Sequence, residues 1–145
     1  MSAILLFNDD YYIVHVGDSR VYCMTDKVLQ LTKDQTFIAR EIAAGRMTEE
    51  QSKTDPRRSV LLQCVGASQV VEPEFVKGHA VKDAVYMLCS DGFRHQITEQ
   101  EMIEKIGPDK VKTEQDIEFG CRYLTETVKN RKESDNITVA VVKNA

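Results

Sequence analysis

Three aspartates stand where an apolar run of this sequence meets a turn. They are Asp18 in Val-Gly-Asp-Ser-Arg at 16–20, Asp91 in Cys-Ser-Asp-Gly-Phe at 89–93, and Asp135 in Ser-Asp-Asn-Ile-Thr-Val at 134–139. Carboxylates delivered from separate strand ends can converge into an all-oxygen site, the donor set that suits hard divalent cations such as Mg2+ or Mn2+. Asp91 has the strongest claim. The run Ala84–Cys89 reads as a central strand, and a carboxylate at the end of a buried strand needs hydrogen bonds or a cation to offset its burial. Gly92 beside it permits a tight turn and the close approach of a metal or substrate. Taken singly, each aspartate also has a plainer reading. Asp-Gly after a strand is a common turn, Asp135-Asn136 caps turns in the same way, and Asp18 could be a turn aspartate paired with Arg20. The histidines carry no ligand spacing: His15 lies in an apolar strand, His79 near a turn and His95 in a loop.

The elements that would position these residues alternate in period along the chain. Ala3–Phe7 and Tyr11–Val16 read as a hairpin about Asn8-Asp9-Asp10, followed by strands over Arg20–Met24 and Val28–Thr32. Phe37, Ile38, Ile42 and Ala43 share one face of a helix over Gln35–Ala44, ended by Gly45. Thr48 and Gln51 form a capping box for a second short helix, which Lys53-Thr54-Asp55-Pro56 breaks. Strands are expected at Val60–Val65 and Val70–Val76, separated by Gly66-Ala67-Ser68. Thr98 and Glu101 make another capping box for a helix reaching Ile106, and Ile117, Cys121, Leu124 and Val128 lie on one face of a helix over Glu114–Asn130. A β-branched strand at Asn136–Val142 closes the chain. Strands first and last with helices between them give the α+β class.

Bulk properties narrow the function. The 145 residues suffice for one domain with a real core. A net charge of -4 and a pI near 5.4 speak against a general nucleic-acid binder, which needs a basic face. No apolar run approaches the roughly 20 residues of a membrane span, and the N-terminal residues lack the basic start of a secretory signal. Cys23, Cys64, Cys89 and Cys121 are scattered singly, as expected of buried thiols in a reducing compartment. A cytoplasmic location follows as the expectation.

Together the three aspartate stretches resemble the C-terminal part of the protein phosphatase 2C family, the metal-dependent serine/threonine phosphatases. Leu31-Thr32-Lys33-Asp34-Gln35-Thr36 is similar to that family's Leu-Thr-x-Asp-His-Ser stretch, Ile42–Gln51 to its short helical element, Ser59–Ser68 to its strand ending in Gly, and Val85–Asp91 to the strand before its Ser-Asp-Gly. The likeness runs from about residue 3 to 142. It implies a single, incomplete domain over 1–145: a partial β-sandwich of antiparallel sheets flanked by helices, without the strands and helices of the family's N-terminal part. It also implies Asp91 and Asp135 as ligands of one metal, and Asp18 as ligand of a weaker accessory ion that Asp91 shares. The 33–59 segment would be a flap beside the active site, and a phosphoprotein the substrate. Two departures stand out. The family's phosphate-binding arginine and its Asp-Gly-x-Gly-Gly motif are not found among these residues, and the position four past Asp91, often an aspartate in the family, is His95.

These features support two functions: part of a metal-dependent phosphoprotein phosphatase, or a catalytically inactive relative acting as a regulatory or interaction module. In either case strands without their usual neighbours would present open edges and an apolar face, which invite self-association as a homodimer.

Overall fold

The computed structural model describes residues 1–67 and 69–145, so Ser68, expected in a turn, lies outside the described residues. Seven strands form two antiparallel sheets. The first holds β1 (Ser2–Phe7), β2 (Asp10–His15) and β5 (Glu74–His79) in the order β1-β2-β5. The second holds β3 (Arg20–Met24), β4 (Val28–Gln30), β6 (Val85–Cys89) and β7 (Val139–Lys143) in the order β4-β3-β6-β7. Asn8, in the left-handed region at φ 52, turns β1 into β2. Helices α1 (Phe37–Ala43), α2 (Glu49–Ser52), α3 (Asp91–Arg94), α4 (Glu99–Ile106) and α5 (Glu114–Asn130) complete the fold.

The second sheet is covered on both sides, which explains the near-continuous apolar runs of β3 and β6. On one face Tyr22, Met24, Val85, Met87 and Cys89 pack against Phe93, Met102, Ile106, Leu124 and Val128, the last four from α4 and α5. On the other face Cys23, Ala84 and Tyr86 meet Ile4, Leu6 and Tyr11 of the first sheet. The helical face predicted for α5 is the face that packs here, with Leu124 and Val128 buried and Ile117 and Cys121 against them. The first sheet has only its inner face covered. Its β1 and β5 alternate half-buried and exposed residues, leaving Leu5, Phe7 and Phe75 open to solvent, Phe75 at 78% exposure.

Several boundaries differ from the sequence expectation, each for a local reason. Pro73 has no N–H for a ladder, so the strand expected at Val70–Val76 begins at Glu74 instead. The strand expected at Val60–Val65 is reduced to a single bridge between Leu61 and Thr36. Its backbone bonds go to the start of α1, where Phe37 N–H donates to Val60 O at 2.9 Å and Leu62 N–H donates to Gln35 O at 2.8 Å. The strand expected to reach Thr32 stops at Gln30, because the Thr32 hydroxyl accepts the Val21 N–H at 3.1 Å where a backbone carbonyl would continue the ladder. The last strand starts at Val139, three residues later than expected. Both predicted capping boxes are present, at Thr48/Gln51 and Thr98/Glu101, and a third at Thr113/Asp116 opens α5.

Candidate metal centre

Strand register brings the three aspartates to one end of the second sheet. Arg20 pairs with Cys89, and Cys89 with Val139, so the start of β3, the end of β6 and the start of β7 lie in one row. Asp18 precedes that row in β3, Asp91 follows it in β6, and Asp135 lies in the segment leading into β7.

Asp18 is held by an unusual turn. Gly17, buried at φ +104, takes a backbone conformation that a side chain would strain. Its N–H donates to Gln35 Oε1 at 2.8 Å, and its carbonyl accepts from the Gln35 N–H at 2.8 Å and from His15 Nε2 at 3.0 Å. Since a carbonyl can only accept, Nε2 of His15 carries a proton, while Nδ1 lies 2.8 Å from the Ser2 hydroxyl. His15 is fully buried, so this imidazole braces the turn and is closed to solvent. Burial raises the Asp18 pKa, as do the charges of Asp91 and Asp34, while Arg94 lowers it.

The expected pairing of Asp18 with Arg20 does not form. Arg20 instead grips Asp34 with two parallel bonds, Nε to Oδ1 at 2.8 Å and Nη2 to Oδ2 at 2.7 Å, and its Nη1 donates to the Tyr22 hydroxyl at 3.0 Å. The fork of Arg20 matches both oxygens of Asp34, which leaves Asp18 unneutralised by it. Beneath this pair the Cys89 thiol is pushed up to about 11, chiefly by burial.

Asp91 opens the single-turn helix α3, where its Oδ1 accepts the Gly92 N–H at 2.9 Å. Gly92 is therefore helical, not the tight turn that Asp-Gly suggested. Its missing side chain admits backbone: a Cβ built there would stand 2.7 Å from Asn136 O and 3.1 Å from the Asp135 Cβ. Ser90 ties the same two segments together. Its Oγ donates to Asn136 O at 2.8 Å and accepts the Thr138 N–H at 3.0 Å, and its backbone N–H donates to Thr138 O at 3.0 Å. Asp135 is exposed, and its Oδ1 accepts the Asn136 N–H at 2.7 Å.

Chemically, this end of the sheet offers oxygen donors whose like charges call for a cation, the demand expected of a hard-metal site. The donors do not complete such a site: among the described residues no three acidic, histidine or cysteine side chains form a group able to hold a metal ion. His95 caps α3 at the exposed side, with Nδ1 3.9 Å from Glu133 Oε2. Sequence reasoning passed over Arg94, Gln35 and His15 as parts of this neighbourhood. The aspartates give their positions away by motif, whereas these three act through distant partners.

A two-sheet antiparallel sandwich with helices and carboxylates at one sheet end defines the class of metal-dependent protein phosphatases, and comparison with known proteins agrees. The serine/threonine phosphatase PstP of Mycobacterium tuberculosis is 30% identical over 142 residues, covering 97% of this chain and 26% of that protein. The phosphatase Stp of Listeria monocytogenes is 32% identical over 144 residues, 97% of this chain and 54% of that one. The serine/threonine phosphatase structure from S. agalactiae superposes with a TM-score of 0.88 at 26% identity, covering 99% of this chain and 58% of that chain. The catalytic domain of PstP, solved in complex with two manganese ions, superposes with a TM-score of 0.77 at 28% identity, covering 99% and 56%. No protein-family model matches. The chain is a partial domain of the protein phosphatase 2C family. It spans about half the length of Stp and of these solved phosphatase chains, and about a quarter of PstP.

Proposed function

We propose that this chain supplies part of the metal-binding end of a phosphatase acting on phosphoserine and phosphothreonine in proteins. In this reading Asp91 and Asp135 hold one Mg2+ or Mn2+, and Asp18 holds an accessory ion that Asp91 shares. The observation that carries it is the register: Arg20, Cys89 and Val139 stand in one row, so the three acids leave the sheet at the same end. A bound divalent ion supplies an activated water and neutralises phosphoryl charge. The chain's own residues orient the ligands. Ser90 locks the Asp135 segment beside Asp91, while His15 and Gln35 hold the Asp18 turn. Gly92 contributes as the gap that lets these segments approach. The 33–59 segment acts as a flap that guides the phosphopeptide. Its exposed Arg40 and Arg57 flank Phe37 at 5.2 Å and 4.2 Å from the ring, giving it a cationic, aromatic surface suited to a phosphorylated substrate.

Hydrolysis of p-nitrophenyl phosphate and of a phosphothreonine peptide with excess Mn2+ tests the reading. Activity is expected where the chain is joined by the remainder of a phosphatase domain, and Asp91→Ala should abolish it. Activity that survives Asp91→Ala would overturn the assignment. The second reading, a non-catalytic regulatory module, is favoured by the absence of a complete ligand group among the described residues. It predicts a folded protein that binds partners and hydrolyses neither substrate under any metal condition.

The bare outer face of the first sheet, with Leu5, Phe7 and Phe75 exposed, supports a homodimer through that face or the β1 edge. Sedimentation at micromolar concentration should give a dimer that Phe75→Asp dissociates, and a monodisperse wild-type monomer would contradict it. Cys23 and Cys89, buried as thiols, suit the reducing cytoplasm to which we assign the chain. No helix among the described residues is long and apolar enough to cross a membrane.

A further inference from the structure

Arg94 is the one charged side chain of the metal end whose bonding is unfinished. It closes the helical turn that Asp91 opens, a spacing that sets the two side chains on one face. Only 16% of its side chain is exposed, and its buried Nε has no hydrogen-bond partner. Its nearest acid is Asp34, with Nη2 3.5 Å from Oδ2, at the limit of a hydrogen bond. Asp34 is already engaged on both oxygens by Arg20, and Gln30 Nε2 donates to Oδ1 as well at 3.2 Å. Arg94 is thus a largely buried cation with donors to spare and no acid of its own.

Asp18 is its complement. It is partly buried and repelled by the charges of Asp91 and Asp34, and Arg94 is the cation that acts on it. A guanidinium cannot lose its charge, so it remains a cation at every working pH. A divalent ion at Asp18 and Asp91 would face that fixed positive charge in a partly buried setting, where screening is weak.

We propose that Arg94 is a built-in rival of the accessory cation: its guanidinium neutralises Asp18 until a divalent ion displaces it. The inference rests on the reading of Asp18 and Asp91 as ligands of that ion, and it adds a control on its occupancy. Arg94 is then a positioning and gating residue, touching neither substrate nor the reacting atoms.

Mn2+ titration of the chain, followed by electron paramagnetic resonance of the free ion, tests the proposal without reference to activity. Removing one nearby like charge should tighten the weakest Mn2+ class about tenfold in Arg94→Gln, an order-of-magnitude expectation for a partly screened pair. Adding Asp18→Asn to that variant should cancel the gain. Arg94→Lys, whose point charge lacks the planar fork, should show an intermediate gain, and it carries the test if Arg94→Gln fails to fold. The proposal is overturned if Arg94→Gln, folded by circular dichroism, binds Mn2+ like wild type while Asp18→Asn weakens binding. In that case Asp18 holds an ion without a rival. If neither Asp18→Asn nor Asp91→Asn alters Mn2+ binding in either background, the reading of these acids as ligands falls, and the proposal with it.

Discussion

Adding one methyl group at residue 92 sets two effects against each other. Alanine is a better helix former than glycine by about 1 kcal/mol, and Gly92 lies in a helical turn. Its Cβ would, however, stand 2.7 Å from a backbone oxygen, Asn136 O, which cannot swing aside like a side chain. Overpacking of this kind costs about 1–3 kcal/mol, so the steric term wins. Gly92→Ala should lower stability by that order in urea denaturation and push the Asp135 segment away from Asp91. An unchanged or raised midpoint would show that the segment yields. This residue also marks the limit of sequence reasoning. That Asp91, Gly92 and Asp135 matter was legible from three short motifs. That the glycine accommodates backbone from the Asp135 loop was not, because the two segments meet only through strand pairing. Arg20 teaches the same lesson: its nearest acid in sequence is Asp18, yet a two-pronged fit selects Asp34.

Among the elements, helices were the most legible, since their capping boxes are local. Thr98 and Glu101 announce α4, and Glu101 also pairs with Arg131 at the end of α5. That pair holds the Glu101 carboxyl down to about 2, first through Arg131 and then through the Thr98 backbone N–H. A carboxyl whose folded pKa lies below its unfolded value of about 4.3 stabilises the fold fully above that value. The contribution is lost as pH falls toward 2. Both side chains are partly exposed, so solvent screening limits the pair to about 1 kcal/mol or less. Arg131→Ala should therefore cost up to that amount in urea denaturation at pH 7, and the difference from wild type should shrink between pH 4.5 and 2. A difference that stays constant with pH would mean that Arg131 acts through its bond to the Gln96 carbonyl instead. Strand ends were less legible because side chains intervene in the ladder. The Thr32 hydroxyl cuts β4 short, and Pro73 delays β5.

Across the molecule, burial is divided unevenly. Among the described residues from Phe37 to Asp83 none is buried, whereas β3, β6 and the faces of α4 and α5 toward them form the core. A segment with little buried apolar surface opens locally at low cost. Limited trypsin digestion should therefore cut first at Lys53, Arg57 or Arg58, leaving the core of β3, β6, β7 and α5 to be cut later. First cleavage within α5 would contradict this distribution. The α+β class and the covered second sheet were legible from the apolar runs and helical periods. The bare outer face of the first sheet was foreseen only in outline, because which residues lie outward depends on the register of β1, β2 and β5.

The central claim is that Asp91 and Asp135, brought together at one end of the second sheet, hold a divalent metal ion. Crystals of the chain grown with Mn2+, measured at the manganese absorption edge, test it most directly. The account predicts an anomalous peak in contact with the carboxylates of both Asp91 and Asp135. Anomalous density confined to other side chains, or no peak at a saturating Mn2+ concentration, would contradict it.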